Sequence, residues 1–398
     1  MAFTFEITSR DKKTRARVGV IRTAHGEVKT PYLVPVATRG NIIALSDEDV
    51  KMLNMQCLLA NTYHLHLKPG DLEIKKMGGL HKYMKFDKPI FTDSGGFQAF
   101  SLGLGREVNA RKIGFFPEDF EAPKEKSEKL ALIKENGVEF TSVYDGSKQF
   151  MGPKESMEIQ SNLRADIIMA FDECTSAFSS KEYIEESMHR SHKWEIESLK
   201  YHDKAQAIYG IIHGGWFKDL RLKSAKFINA LGFDGIAIGG SLGKTKEDMY
   251  EVLDWIIPVL DERPRHMLGI GRVEDIFECV ERGIDTFDCV ESTRIARHGL
   301  LYISPDTGGS SENKFRINIK KSKYKEDGSS IDKNCDCFTC KNYSCAQLHA
   351  LAKAKNHEYG RLASIHNISF MQNLCSEVRK AIENNRFLEL KFLWLKDK

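Results

Sequence analysis

No stretch of this chain is apolar for long enough to cross a bilayer. The first twenty residues, MAFTFEITSRDKKTRARVGV, hold no apolar core of the kind a secretory signal needs. These absences lead us to expect a soluble, cytoplasmic protein with no membrane partner. A dominant charge is also missing. Lys and Arg total 59 against 56 Asp and Glu, a net charge of +3 over 398 residues. Any nucleic-acid contact must therefore be a local basic face rather than a general polycationic surface. Two phosphate-binding signatures are lacking as well. No GxGxxG follows an apolar run, and GGSLGKT at 239–245 misses the Walker A pattern because Ile238 stands at the first required glycine. Nine cysteines, an odd number with three crowded near the C-terminus, argue against a disulfide framework and for reduced thiols with a metal site.

What the chain does have is core material, with 41% hydrophobic residues, enough for one large domain with a subdomain. Short apolar runs end in polar residues or glycine at 57–63, 89–96, 166–174, 206–215, 233–240, 265–271 and 286–291. Helix-like stretches at 180–201, 220–231, 246–260 and 272–283 separate most of the later ones. Apolar strand followed by amphipathic helix, repeated, is the pattern of a parallel α/β fold. Seven such strands, with 31–37 or 139–145 available as an eighth, predict a (β/α)8 TIM barrel. Reactive residues of such a barrel sit at the C-terminal ends of its strands. That rule selects Asp93, Asp172, His213, Gly239, Gly240, 269–271 and Asp288. One aspartate at a strand end is more often a helix cap than a catalyst; a whole set of polar strand ends is harder to explain by capping.

Two segments break the rhythm. The run 103–137 is long and dense in mixed charge, and is expected as an inserted surface loop. The polar, basic run 320–333 leads into Cys335, Cys337 and Cys340, spaced C-x-C-x2-C. Three thiolates so close suit one soft, tetrahedral ion. The fourth ligand is open among His349, His357, His366 and Cys345. Four protein ligands would close the coordination shell and make the ion structural. The expected division is a barrel over 1–300 and, over 301–398, a zinc-binding subdomain with C-terminal helices completing the barrel.

Several words of the sequence, in order, resemble the tRNA-guanine transglycosylase (queuine tRNA-ribosyltransferase) family of bacterial type. They are ANTYHL at 60–65, FTDSGGFQ at 91–98, MAFDEC at 169–174, FDGIAIGG at 233–240 and TFDCVESTRIARHG at 286–299. The set C-x-C-x2-C-x25-H completes them and picks His366 as the fourth ligand of one structural Zn2+. The resemblance implies exchange of the wobble guanine in GUN-anticodon tRNAs (those for Asp, Asn, His and Tyr) for a 7-deazaguanine, in queuosine biosynthesis. It assigns Asp288 as nucleophile and Asp93 as general acid/base. It puts Asp172, His213, Ser94, Gly239 and Gly240 around the base, with Phe97 and Leu268 sandwiching its ring. Arg294 and Arg297 fall where relatives hold anticodon nucleotides. A homodimer is the expected assembly.

Departures from the family pattern bear on specificity. His213 stands where glutamine is usual. Gly243 stands where bacterial relatives carry valine, which implies a pocket widened toward queuine, while Cys174 matches the bacterial-type pocket. The chain ends about thirty residues after His366, with no further RNA-binding domain of the archaeal kind expected. Rival readings are a salvage hydrolase acting on the deazaguanine, a non-catalytic transglycosylase subunit, and a metal-dependent barrel hydrolase using His64 and His66. Retention of both Asp93 and Asp288 argues against the second.

Overall fold

The computed structural model describes residues 3–99 and 131–396. Residues 103–130 of the expected insertion lie outside the described residues. Its remaining part is not a loop: Ala131–Lys134 and Gly137–Thr141 form an antiparallel hairpin extended by Lys148–Met151. The segment 139–145 therefore contributes no barrel strand. Val138 and Phe140 are buried, so its apolar residues serve this small sheet instead.

Eight parallel strands make the barrel: Tyr32–Val34, Leu58–Ala60, Ile90–Thr92, Ile167–Met169, Ala207–Ile212, Gly235–Ile238, Arg265–Met267 and Thr286–Asp288. From the second strand onward each pairs with the next. The eighth returns to the first, with Asp288 opposite Val34. The remaining seam is closed by a parallel bridge of Val36 with Leu59, where Ala37 N–H donates to Leu59 O at 2.7 Å. The strands are short and apolar because both faces are covered. Leu33, Ile168, Ile208, Ile236 and Phe287 turn outward to the helices. Val34, Leu59, Met169, Tyr209 and Ala237 fill the interior, as alternation along a closed sheet requires.

The helices begin where their caps dictate. Ser180 accepts from Tyr183 N–H to start Lys181–Tyr201, and a reciprocal Thr245–Asp248 box starts Lys246–Ile256. The expected starts at 180 and 246 agree within one residue. One element was not expected. Thr4–Arg10, Arg17–Thr23 and Gly26–Thr30 form an antiparallel sheet whose Ile21 and Val28 join the barrel interior. It is fixed there by a buried fork: Arg17 Nε and Nη2 donate to Asp285 Oδ1 and Oδ2 at 2.9 and 2.6 Å.

Past the last strand, Leu300–Tyr302 pairs with Arg316–Asn318, and four α-helices follow. The longest, His357–Glu383, binds the first and last strand regions together. Arg379 Nη1 donates to Pro31 O at 2.7 Å, and Asn367 Nδ2 donates to Ser292 O at 2.9 Å.

Candidate active site and metal centre

The C-terminal strand ends enclose a cavity of about 370 Å³. It gathers sequence positions nearly two hundred residues apart. Asp93, Ser94, Phe97, Asp172, Gly239, Gly240, Leu268, Asp288 and Arg294 all line it. His213 and Arg297 do not. Arg297 instead donates to Thr293 O at 3.0 Å on its own helix. His213 is buried behind Asp172, its Nε2 3.2 Å from Asp172 Oδ2 without hydrogen-bond alignment. It braces a lining residue rather than lining the cavity itself.

Gly243 does not line the cavity either. Its φ is +108°, and a side chain there would meet Asp248 Cβ at 2.2 Å. The turn into the next helix requires glycine at this position, so the expected widening toward queuine has no basis in the structure. His64 and His66 do not converge on a metal. His64 Nδ1 is 3.0 Å from Tyr144 Oη, and His66 Nδ1 is 2.7 Å from Asp71 Oδ1.

The two central carboxylates sit in different environments. Asp288 ends the eighth strand, and its Oδ1 accepts from Gly269 N–H at 3.0 Å and faces His266 Nε2 at 3.1 Å. His266 is buried, with Nδ1 2.9 Å from Thr286 Oγ1. Asp93 follows the third strand. Its Oδ1 accepts from Thr62 N–H at 2.8 Å, and Asn61 Nδ2 donates to Oδ2. Burial pushes the Asp93 carboxyl up to about 7; Thr62 N–H opposes this and the charge of Asp288 adds to it. Asp172 accepts from Ser94 Oγ at 3.0 Å and keeps an edge on the cavity. Two thiols also line the space, but burial pushes both Cys174 and Cys289 up to about 12. Neutral thiols are poor nucleophiles, which leaves the carboxylates to act.

His266 and Asn61 escaped the sequence reading. A histidine inside the short apolar run 265–271, one residue before the strand end at Met267, was the one available signal for His266. Asn61 is also the cap of the helix Thr62–Leu67, accepting from His64 N–H at 3.0 Å.

The second centre lies in the C-terminal region. Cys335, Cys337 and Cys340 put their Sγ atoms 3.6, 3.6 and 3.3 Å from His366 Nδ1, and all four donor atoms fall within 4.8 Å of one another. His349 and Cys345 are engaged elsewhere, and His357 is not part of the cluster. His349 Nδ1 faces Ile319 O at 2.8 Å, and Cys345 Sγ faces Ser330 O at 3.5 Å. His366 Nε2–H donates to Tyr302 O at 2.8 Å, which fixes the tautomer that leaves Nδ1 as ligand. Three thiols and one imidazole with their donor atoms this close fit a metal ion.

A barrel whose strand ends gather two carboxylates over one cavity, followed by a Cys3His cluster, has the architecture of a barrel enzyme. The queuine tRNA-ribosyltransferase family model matches residues 11–398. A relative from Archaeoglobus fulgidus is 50% identical over 390 residues, covering 96% of each chain, and its name gives that activity provisionally. The queuine tRNA-ribosyltransferase of Roseiflexus sp. is 41% identical, covering 99% of this chain and all of its own. That of Fusobacterium nucleatum is 41% identical over 96% of this chain and 95% of its own. The chain belongs to the queuine tRNA-ribosyltransferase family, whose members act on tRNA as transglycosylases. Among the described residues no helix is long and apolar enough to cross a membrane.

Proposed function

We propose that this protein replaces the wobble guanine of GUN-anticodon tRNAs with a 7-deazaguanine through a covalent aspartyl-ribosyl intermediate. The observation that carries this reading is the pairing of Asp93 and Asp288 over one cavity in unlike surroundings. Asp288, held by Gly269 N–H and His266, attacks the anomeric carbon as positive charge develops there, forming a glycosyl ester. Asp93, poised at about 7, gives a proton to the departing base and later takes one from the arriving base. Attack of the new base on the same carbon gives overall retention. Asp172 offers carboxylate oxygen to the two adjacent N–H donors of a guanine-type edge, while Phe97 and Leu268 flank its ring. The target nucleotide has to leave the anticodon stack to reach this depth. Arg294, at the rim, meets the neighbouring phosphates or uridines, and Arg297 stands behind it on the same helix.

The Cys335–His366 centre holds zinc in this reading. With four protein ligands the ion supplies fold, not chemistry: it staples the region after the barrel, which presents basic residues such as Lys320, Lys321 and Lys323 to the tRNA. A cytosolic homodimer, with one protomer doing chemistry and its partner supporting the tRNA, completes the proposal. Incorporation of labelled guanine into a GUN-anticodon transcript tests the reading. Label should enter tRNA with the parent protein and not with Asp288→Ala. No incorporation by the zinc-loaded parent on folded tRNA would sink it.

A further inference from the structure

The end of the barrel away from the cavity holds a second convergence of metal-type donors. Among the described residues, two groups of three or more such side chains come within reach of a single ion: the Cys3His centre, and His25, His81 and Asp166. The three are remote in sequence. His25 stands on the turn that joins Arg17–Thr23 to Gly26–Thr30. His81 lies on the short helix Leu80–Met84. Asp166 directly precedes the strand Ile167–Met169, at the N-terminal end of the barrel strands.

Asp166 is the fixed member. Its side chain is 3% exposed, and its Oδ2 accepts from Ile90 N–H at 2.9 Å, which orients the carboxylate. His25 Nδ1 stands 2.7 Å from Oδ1, and His81 Nε2 stands 3.1 Å from Oδ2. Other buried carboxylates meet guanidinium groups, Asp285 with Arg17 and Asp49 with Arg361. Among the described residues no lysine or arginine pairs with Asp166; its partners are the two imidazoles. A lysine or arginine would supply charge without ligating. Imidazole and carboxylate are both ligands of divalent transition ions.

The spacing suits one ion. With bonds of about 2.0–2.1 Å, neighbouring donors around a metal stand roughly 3–3.5 Å apart, so the nitrogens have only to draw back slightly from the carboxylate. The two rings lie face to face, with centroids 3.5 Å apart and planes 19° apart. Lone pairs of parallel rings do not meet at a point, so one ring has to turn. His25 has the room: its side chain is 41% exposed, against 12% for His81. The same exposure gives an ion and its waters a path in.

We propose that His25, His81 and Asp166 form a second metal site, which takes a divalent transition ion, zinc foremost, and staples the N-terminal sheet to the base of the barrel. Ile21 and Val28 of that sheet fill the barrel interior, so an ion at its turn secures part of the core. Three ligands, one of them on an exposed turn, bind more weakly than a closed shell of four. The chain therefore keeps only the ion of its Cys3His centre on isolation and takes up a second when the ion is supplied. Chemistry at the cavity does not pass through this site.

The test counts zinc on the full chain, desalted with its Cys3His ion in place and then equilibrated with added Zn2+. The parent should take up one further zinc per chain, with a rise in Tm of about 2–4 °C. In His25→Ala the affinity for that zinc should fall by about tenfold or more, and the rise in Tm should vanish. His25→Cys, which restores a ligand, should recover both. Cobalt added to the zinc-holding parent should show a nitrogen and oxygen shell in X-ray absorption. No further zinc in the parent, equal uptake by His25→Ala, or sulfur around the added cobalt would each overturn the inference. Should His25→Ala not fold, the cobalt shell decides.

Discussion

Asp93 and Asp288 share one cavity, and the charge of Asp288, after burial, helps hold the Asp93 carboxyl at about 7. Two carboxylates that read alike in sequence are thereby given different work. The one with Gly269 N–H and His266 against it is held with its Oδ1 fixed at the end of the eighth strand. The one enclosed by Asn61 and Thr62 is suited to carry a proton at neutral pH.

The first prediction concerns pH. Formation of the glycosyl-enzyme needs protonated Asp93, so its rate should fall as pH rises through about 7. Asp93→Asn should lower the rate and flatten that limb in single-turnover measurements. Stability should fall over the same range of rising pH, while the substitution acts on it in the opposite sense. A carboxyl raised in the folded state favours folding below its unfolded value of about 3.9, and that contribution is lost as pH rises through about 7. Asp93→Asn should therefore raise stability at pH 8 by about 1–3 kcal/mol, and by less at pH 5, in urea unfolding.

His266 should matter through Asp288. With Nδ1 against Thr286 and Nε2 against Asp288, it fixes where the nucleophile points. His266→Gln should lower kcat by about tenfold to a hundredfold with little change in KM for tRNA. A change in KM alone would contradict this role.

His213→Gln tests the residue behind Asp172. Because His213 braces Asp172 and does not line the cavity, the exchange should raise or lower KM for the free base while kcat stays within about threefold of the parent. Steady-state kinetics with guanine as the varied substrate separates the two.

The barrel was legible from sequence because parallel strands buried on both faces read as unbroken apolar runs, and Ala207–Ile212 and Gly235–Ile238 fall inside two such runs. The strand-end rule found the lining aspartates for the same reason. It could not separate lining residues from bracing ones. His213 and Gly240 both follow strands, yet only one faces the cavity, since the direction of a side chain past a strand end depends on the turn. Gly243 misled because a missing side chain reads the same whether space or a positive φ demands it. The N-terminal sheet was missed because Arg17 and Thr30, both buried, interrupt the apolar pattern; Thr30 is satisfied by Gly19 N–H across the sheet and Arg17 by the distant Asp285.

Metal removal should act on the region after the barrel first. Chelation, or Cys340→Ala, should lower the Tm by several degrees and weaken tRNA binding more than binding of free guanine, since the base cavity is built from barrel strand ends. Metal analysis should return one zinc per chain in the parent.

The central claim is that Asp288 bonds covalently to the ribose. Incubating the protein with a GUN-anticodon RNA and quenching under denaturing conditions tests it most directly. A protein–RNA adduct should persist on a denaturing gel with the parent chain, dissolve when excess guanine is added before the quench, and be absent with Asp288→Asn. An adduct that survives in Asp288→Asn, or none in a parent preparation that exchanges labelled guanine, would contradict the account.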